Sequence, residues 1–221
     1  MEVEVKIPIS KQQFEWIVSS WEFGTTKVKG KKTFLIKEDK YYSKDGEKSA
    51  SDHRIRLRST GEVASFTKED NGNVLIFAND FFGSTEKRFF QNVKSYITVK
   101  EKSVHPDGTE INKEEESEMS NPEAFLAFVD SIDYKPYFSK RKEAMEFCVN
   151  MNGLVINLAV VRVNGVGPYL EIEAIVGNED VQDARTAIFS FMKDKLFLDT
   201  LLIDPRNWES IIESGIPSKS V

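Results

Sequence analysis

The 221-residue sequence is poor in the residues that most often announce a chemistry: it has one cysteine, Cys148, and two histidines, His53 and His105. A single thiol excludes an internal disulfide framework, and between Phe147 and Val149 it reads as a small buried hydrophobe. His53 opens a strand and His105 sits beside Pro106 in a turn, so neither has a metal-ligand spacing and both read as structural. No Gly-rich phosphate loop, zinc motif or Ser/His/Asp arrangement is present. Residues 1–6 are charged, with no apolar leader segment, and no apolar run approaches the roughly 18 residues of a membrane span. The expectation is a cytoplasmic protein with no membrane partner. A basic excess is also missing: the formal net charge is −6, which argues against a nucleic-acid partner held by bulk electrostatics. Any phosphate site must then be a local cluster.

What is present points to an ordered domain. Sixteen Phe against 12 Gly and 7 Pro, with 40% hydrophobic residues, favour a folded chain rich in strands. Residues 2–9 (EVEVKIPI) alternate strictly, with Glu2, Glu4 and Lys6 on one face and Val3, Val5 and Ile7 on the other. Similar alternation predicts strands at 32–42, 53–59, 62–68, 95–102, 110–119, 136–149, 153–163 and 168–176, punctuated by Gly61, Asn71-Gly72 and Asp107-Gly108 as turns. Ser10 N-caps a helix ending near Trp21, and Pro122 opens another running to about residue 131. Further helices are predicted over 179–194 and after Pro205. Residues 70–94 lack a clean period and read as an insertion or lid.

Charged residues recur at i, i+2 on strand after strand: Glu2/Glu4/Lys6, Arg54/Arg56/Arg58, Lys100/Lys102, Glu114/Glu116/Glu118, Lys140/Lys142 and Glu171/Glu173. On one strand this is the solvated face of an antiparallel sheet. Repeated over six, with Val3/Val5, Ile55/Leu57, Ile97/Val99 and Leu170/Ile172 opposite, it predicts an apolar exterior covered by helices around a charged interior. Such an interior needs its charges paired or engaged with an ion and a polyanion. A triphosphate meets that need: Arg and Lys neutralise its oxygens while carboxylates hold a bridging divalent cation.

Several segments, in order, resemble the CYTH or triphosphate tunnel superfamily, which includes class IV adenylate cyclases and thiamine and inorganic triphosphatases. MEVEVK resembles its ExExK signature, DKYY at 39–42 its DxYY/F segment, and SDHRIRLR at 51–58 its Arg-bearing strand. TVKEK at 98–102 with NKEEE at 112–116, FSKRKEAM at 138–145, GVGPYLEIE at 165–173 and PRNWESII at 205–212 are similar to later motifs in the expected order. The resemblance implies an α+β fold: a closed antiparallel eight-stranded β-barrel with helices outside, residues 1–178 forming the barrel and 179–221 completing it. It implies triphosphate-binding roles for Lys6, Arg56, Arg58, Lys100, Lys102, Lys140, Lys142 and Arg206, with Lys68 a competing candidate. It assigns Glu2, Glu4, Glu114, Glu116, Glu171 and Glu173 to Mg²⁺ or Mn²⁺, and catalysis to Glu4, Lys6, Arg56 and Arg58.

The implied activity is a metal-dependent triphosphatase acting on inorganic, nucleoside or thiamine triphosphate. The alternatives are an adenylate cyclase, or a binding module without turnover. Two departures from the family pattern stand out. Lys142 replaces an Arg and loses the bidentate fork, and Val161 occupies the position where the family commonly carries an Asp. Exposed helices on the barrel exterior leave a homodimer open.

Overall fold

The computed structural model describes residues 1–44, 46, 55–70, 73–84 and 93–215. Nine strands are described: β1 (Glu2–Pro8), β2 (Glu22–Phe23), β3 (Thr26–Lys44), β4 (Ile55–Phe66), β5 (Lys94–Val104), β6 (Glu110–Met119), β7 (Tyr134–Met151), β8 (Leu154–Val163) and β9 (Val166–Ile175). They form one antiparallel sheet in the order β2-β3-β4-β5-β6-β1-β9-β8-β7. Pairing of β3 with β7 closes eight of them into a ring, and the two-residue β2 lies outside it. Among the described residues five α-helices complete an α+β fold: α1 (Lys11–Ser19), α2 (Asn73–Gly83), α3 (Pro122–Ser131), α4 (Val181–Lys195) and α5 (Trp208–Ser214). None of the described helices is long and apolar enough to cross a membrane.

The ring is apolar outside. Val3, Val5 and Ile7 of β1 join Leu158 and Val160 of β8 and Leu170 and Ile172 of β9, all at most 1% exposed, in one core beneath α1, α2 and α4. Phe14, Ile17 and Val18 come from α1 and Ile188, Phe191 and Met192 from α4, on the faces that i, i+3, i+4 spacing creates. Each such side chain contributes about 1.5–3 kcal/mol on burial. A smaller cluster of Tyr42, Leu57 and Val129 seats α3 on the outside of β3 and β4.

Local chemistry accounts for the edges of these elements. Ser10 and Gln13 form a capping box on α1, with Ser10 N–H donating to Gln13 Oε1 at 2.8 Å and Gln13 N–H to Ser10 Oγ at 3.3 Å. The helix ends at Ser19, two residues before the sequence reading, because the Lys32 ammonium takes up its terminal carbonyls. In the β5–β6 turn Gly108 has φ +88°, and a Cβ there would lie 2.7 Å from Ile203 Cγ2, so glycine is required.

Three sequence expectations change. The strands predicted at 53–59 and 62–68 are one strand, and Gly61 is no turn: it pairs with Ile36, because the 19-residue β3 offers a continuous template. Within residues 70–94, read as an insertion or lid, Asn73–Gly83 form α2, whose Val74, Ala78, Phe81 and Phe82 belong to the main core; Phe81 lies 5.2 Å from Phe34, ring to ring. Val74, Ala78, Phe81 and Phe82 do follow helical spacing, but Leu75, Ile76 and Phe77 between them are apolar as well and mask the period. Cys148 is half-buried on the inner face of the ring, while its neighbours Phe147 and Val149 are the ones facing the core. The Asn71-Gly72 turn, His53 and Arg54 lie outside the described residues.

Candidate active site

Alternation on every strand turns one set of side chains into the ring, where a cavity of about 890 Å³ is lined by basic and acidic residues together. From β1 come Glu2, Glu4 and Lys6; from β4, Arg56 and Arg58; from β5, Lys100 and Lys102. The adjoining strands add Glu114 from β6, Lys140 and Lys142 from β7, and Glu171 and Glu173 from β9. The structure thus brings together most of the residues that the sequence singles out on separate strands.

The charges are organised as partnered groups. Lys6, 1% exposed, and Lys102 share the Glu110 carboxylate, Lys102 at 2.6 Å. Lys100 reaches Glu114 at 2.5 Å and Glu2 at 3.5 Å, and Asn112 Nδ2 donates to Glu2 at 3.0 Å. Arg56 donates to Thr98 Oγ1 at 2.9 Å and contacts Glu114 and Glu116 at 3.4 and 3.3 Å. Arg58 forms a two-pronged pair with Asp39 at 2.7 and 2.8 Å, and Lys140 adds a second cation to the same carboxylate at 3.5 Å. Burial opposes ionisation of Asp39, but Arg58 and Lys140 hold it well below the usual carboxylate range. Lys142 donates to both oxygens of Glu171, at 2.9 and 2.7 Å, and the Trp208 indole donates to Glu171 at 2.7 Å. Against burial, these donors bring Glu171 down to about 2.

Two carboxyls behave differently. Glu4 and Glu173 face each other across β1 and β9. Burial, with Glu171 and Glu110 nearby, pushes Glu4 up to about 8, and burial with Glu4, Glu171 and Glu146 pushes Glu173 up to about 7. Lys100 and Lys6 pull Glu4 the other way and the Asn157 amide does so for Glu173, without restoring the ordinary value. This pair is therefore short of positive charge.

A divalent cation fits there in charge and in chemistry. A hard ion such as Mg²⁺ keeps several waters and takes only one or two carboxylates from the protein, completing its shell with substrate phosphates. Consistent with so sparse a site, no three His, Cys, Asp or Glu among the described residues form a ready-made cage.

Not every sequence candidate enters the cavity. Arg206 is absent from its lining: the guanidinium is held by the fully buried Asp204, at 2.9 and 2.8 Å, and by Ser214 Oγ at 2.9 Å. Lys68 lies on the exterior with Glu22 at 2.7 Å. Glu116 is absent from the lining and touches the group through Arg56, at 3.3 Å, and through Thr98, whose hydroxyl donates to it at 2.9 Å, while Glu118 pairs with Lys94 in solvent. Val161 does face inward, but it is fully buried against Ala144, Tyr169, Trp208 and Ile211, where α5 covers that part of the ring. No carboxylate can act from that position.

Sequence reasoning missed Asp39, Glu110, Glu146 and Trp208. Glu110 stands at i−4 from Glu114 on the same strand face, and Asp39 alternates with Lys37 and Tyr41, so the rule that found the others could have found both. Trp208 carries no such signal, because it arrives from a seven-residue helix remote in sequence.

An antiparallel ring, apolar outside and ion-paired within, defines a class of proteins whose working surface is internal. The profile of the CYTH domain matches residues 1–200, and the chain belongs to that family. Comparison with curated proteins finds no match. Among solved structures, the PH1819 protein of Pyrococcus horikoshii OT3 superposes with a TM-score of 0.65 at 17% identity, covering 97% of this chain and 99% of that one. A Vibrio parahaemolyticus protein provisionally named an adenylate cyclase gives 0.56 at 12%, with 96% and 97% covered. A Hippeastrum protein, provisionally named an adenylyl cyclase and described as having a dominant triphosphatase activity, gives 0.50 at 15%, with 97% and 96% covered. At these identities the likeness concerns the fold.

Proposed function

We propose that this protein is a metal-dependent triphosphatase whose substrate lies inside the ring. The observation that carries the reading is the cationic lining of one cavity, in which Lys6, Arg56, Arg58, Lys100, Lys102, Lys140 and Lys142 from four strands stand beside the Glu4/Glu173 pair. Buried ion pairs repay their desolvation poorly, so stability alone does not account for so many of them.

Arg56, Arg58 and Lys140 offer donors to one part of the polyphosphate, and Lys6, Lys100, Lys102 and Lys142 to the rest. Each cation is already oriented by a carboxylate, so binding exchanges part of that pairing for phosphate oxygens with little reorganisation. Asp39 fixes the plane of Arg58, and Glu171, itself fixed by Trp208, holds Lys142. Glu4 and Glu173 would hold Mg²⁺ or Mn²⁺, which supplies charge neutralisation and a more acidic water.

A second reading, binding without turnover, draws on Val161, whose apolar surroundings remove the acid that the family commonly places there. One experiment separates the outcomes. The protein is incubated with tripolyphosphate, ATP and thiamine triphosphate plus Mg²⁺ or Mn²⁺, and the products are resolved by ion-exchange chromatography. Orthophosphate with the matching diphosphate is the expected result. Cyclic AMP with pyrophosphate would make it a cyclase, and tight binding with no product would leave a binding module.

A further inference from the structure

Among the charged residues of the inner surface, Tyr41, Tyr137 and Phe138 form a wall of three aromatic side chains in the same cavity. Their ring centroids are 5.5 Å apart for Tyr41 and Phe138 and 6.3 Å for Tyr41 and Tyr137. None of the three belongs to any of the apolar clusters that hold the fold together.

Strand geometry shows how this wall is made. Tyr41 pairs with Phe138, but Tyr42 pairs with Pro136, so Tyr137 is the extra residue of a β-bulge. In a regular strand Tyr137 and Phe138 would point to opposite faces. The bulge turns both into the cavity, a use of irregular pairing common beside binding sites.

The wall adjoins the cationic groups. Lys140 Nζ lies 5.5 Å from the Tyr41 ring centroid and 3.5 Å from Asp39, which also carries Arg58, and Tyr41 is in register with Arg56. A phosphate chain gripped by Arg56, Arg58 and Lys140 would leave its ester group against these rings.

We propose that Tyr41, Tyr137 and Phe138 form a stacking subsite for a planar heteroaromatic group, so that organic triphosphate esters are preferred to inorganic tripolyphosphate as substrates. The inference rests on the triphosphate reading given above and narrows it. An aromatic face accepts any flat ring, so the subsite selects for the presence of a base or thiamine-type ring more than for its identity.

The test compares kcat/KM for ATP, thiamine triphosphate and tripolyphosphate, with Mg²⁺ or Mn²⁺, in the wild type and in Tyr137→Ala, Phe138→Leu and Tyr137→Phe. Thermal unfolding of each variant checks the fold. Stacking losses on alanine substitution correspond to about 5- to 150-fold per ring, so Tyr137→Ala should lose about tenfold or more on at least one organic ester. Its tripolyphosphate turnover should stay within twofold, and Tyr137→Phe should retain wild-type discrimination. Equal losses on all three substrates, no loss on any, or a wild type that prefers tripolyphosphate to both esters would overturn the subsite while leaving the triphosphatase standing. Failure to bind any of the three would overturn both.

Discussion

Replacing Glu4 by Gln separates the electrostatics of the site from the integrity of the fold. The Glu4 carboxyl is 9% exposed and pushed up to about 8, chiefly by burial and then by Glu171 and Glu110. In the unfolded chain it ionises near 4.5. Between those values the unfolded state has released a proton that the folded state retains, so stability is complete below about pH 4.5 and falls as pH rises toward 8. At pH 7 the gap corresponds to at most about 3.5 kcal/mol, at about 1.4 kcal/mol per unit. Gln reproduces the neutral acid and removes that loss. Without divalent metal, Glu4→Gln should therefore unfold roughly 5–10 °C higher than the wild type at pH 7.

With saturating Mg²⁺ or Mn²⁺ that gap should nearly close. A ligand at a hundred times its Kd stabilises the native state by about 2.7 kcal/mol, and the wild type should gain that while Glu4→Gln gains little. Differential scanning fluorimetry with EDTA and with metal reads both effects, and phosphate release from tripolyphosphate should be abolished in the variant. A metal-free Glu4→Gln less stable than the wild type, or one retaining full metal-dependent turnover, would refute the reasoning.

Asp39→Asn strips the buried partner from Arg58 and should cost about 3–5 kcal/mol in urea unfolding, because a charge pair broken on one side leaves the other charge uncompensated. Arg206→Ala should lower the melting temperature, since Asp204 remains fully buried, yet leave KM for tripolyphosphate within twofold because Arg206 is not in the cavity lining. Lys32 is fully buried at the end of α1, donating to Ile17, Val18 and Ser20 carbonyls at 3.2, 2.7 and 2.6 Å, and burial pulls it down to about 7. Its unfolded counterpart keeps the proton to about pH 10.4, so wild-type stability should rise relative to Lys32→Met by up to about 3 kcal/mol between pH 7 and 9.5. Chemical denaturation across that range checks it, and parallel curves for the two proteins would refute the assignment.

Much of the fold was legible because a two-residue period is hard to produce by accident on many strands. In β1, β6 and β9 alternation alone placed Glu2, Glu4, Glu114 and Glu171 on one side and Val3, Val5 and Ile172 on the other. What escaped were features where tertiary partners override local signals. Gly61 reads as a turn until β3 is seen to run beside it, and α2 hides in a Phe-rich segment whose packing partner is Phe34, far away in sequence. Arg206 carries the right charge in the right motif, but Asp204, two residues earlier, binds it first. The bulge at Tyr137 leaves no mark on the sequence, because bulges are settled by the pairing of two strands and not by either one.

The charge balance of the interior bears on why the cavity tolerates so many ions. Lys6 with Glu110, Arg58 with Asp39 and Lys142 with Glu171 are each nearly sealed from solvent, where Coulomb attraction offsets desolvation only if both partners are present. Pairing thus keeps the ring folded when it is empty, and it also sets what can enter. A lone anion would leave displaced carboxylates unbalanced, and a lone cation would crowd the lysines. On the proposed function, a polyanion arriving with a divalent ion would satisfy both sets together, which would couple the two binding events. Triphosphate affinity should then rise with metal concentration and metal affinity with triphosphate by the same factor, since such linkage is reciprocal. Titration of each ligand in the presence and absence of the other, by calorimetry in Glu173→Gln and the wild type, should show that coupling only in the wild type.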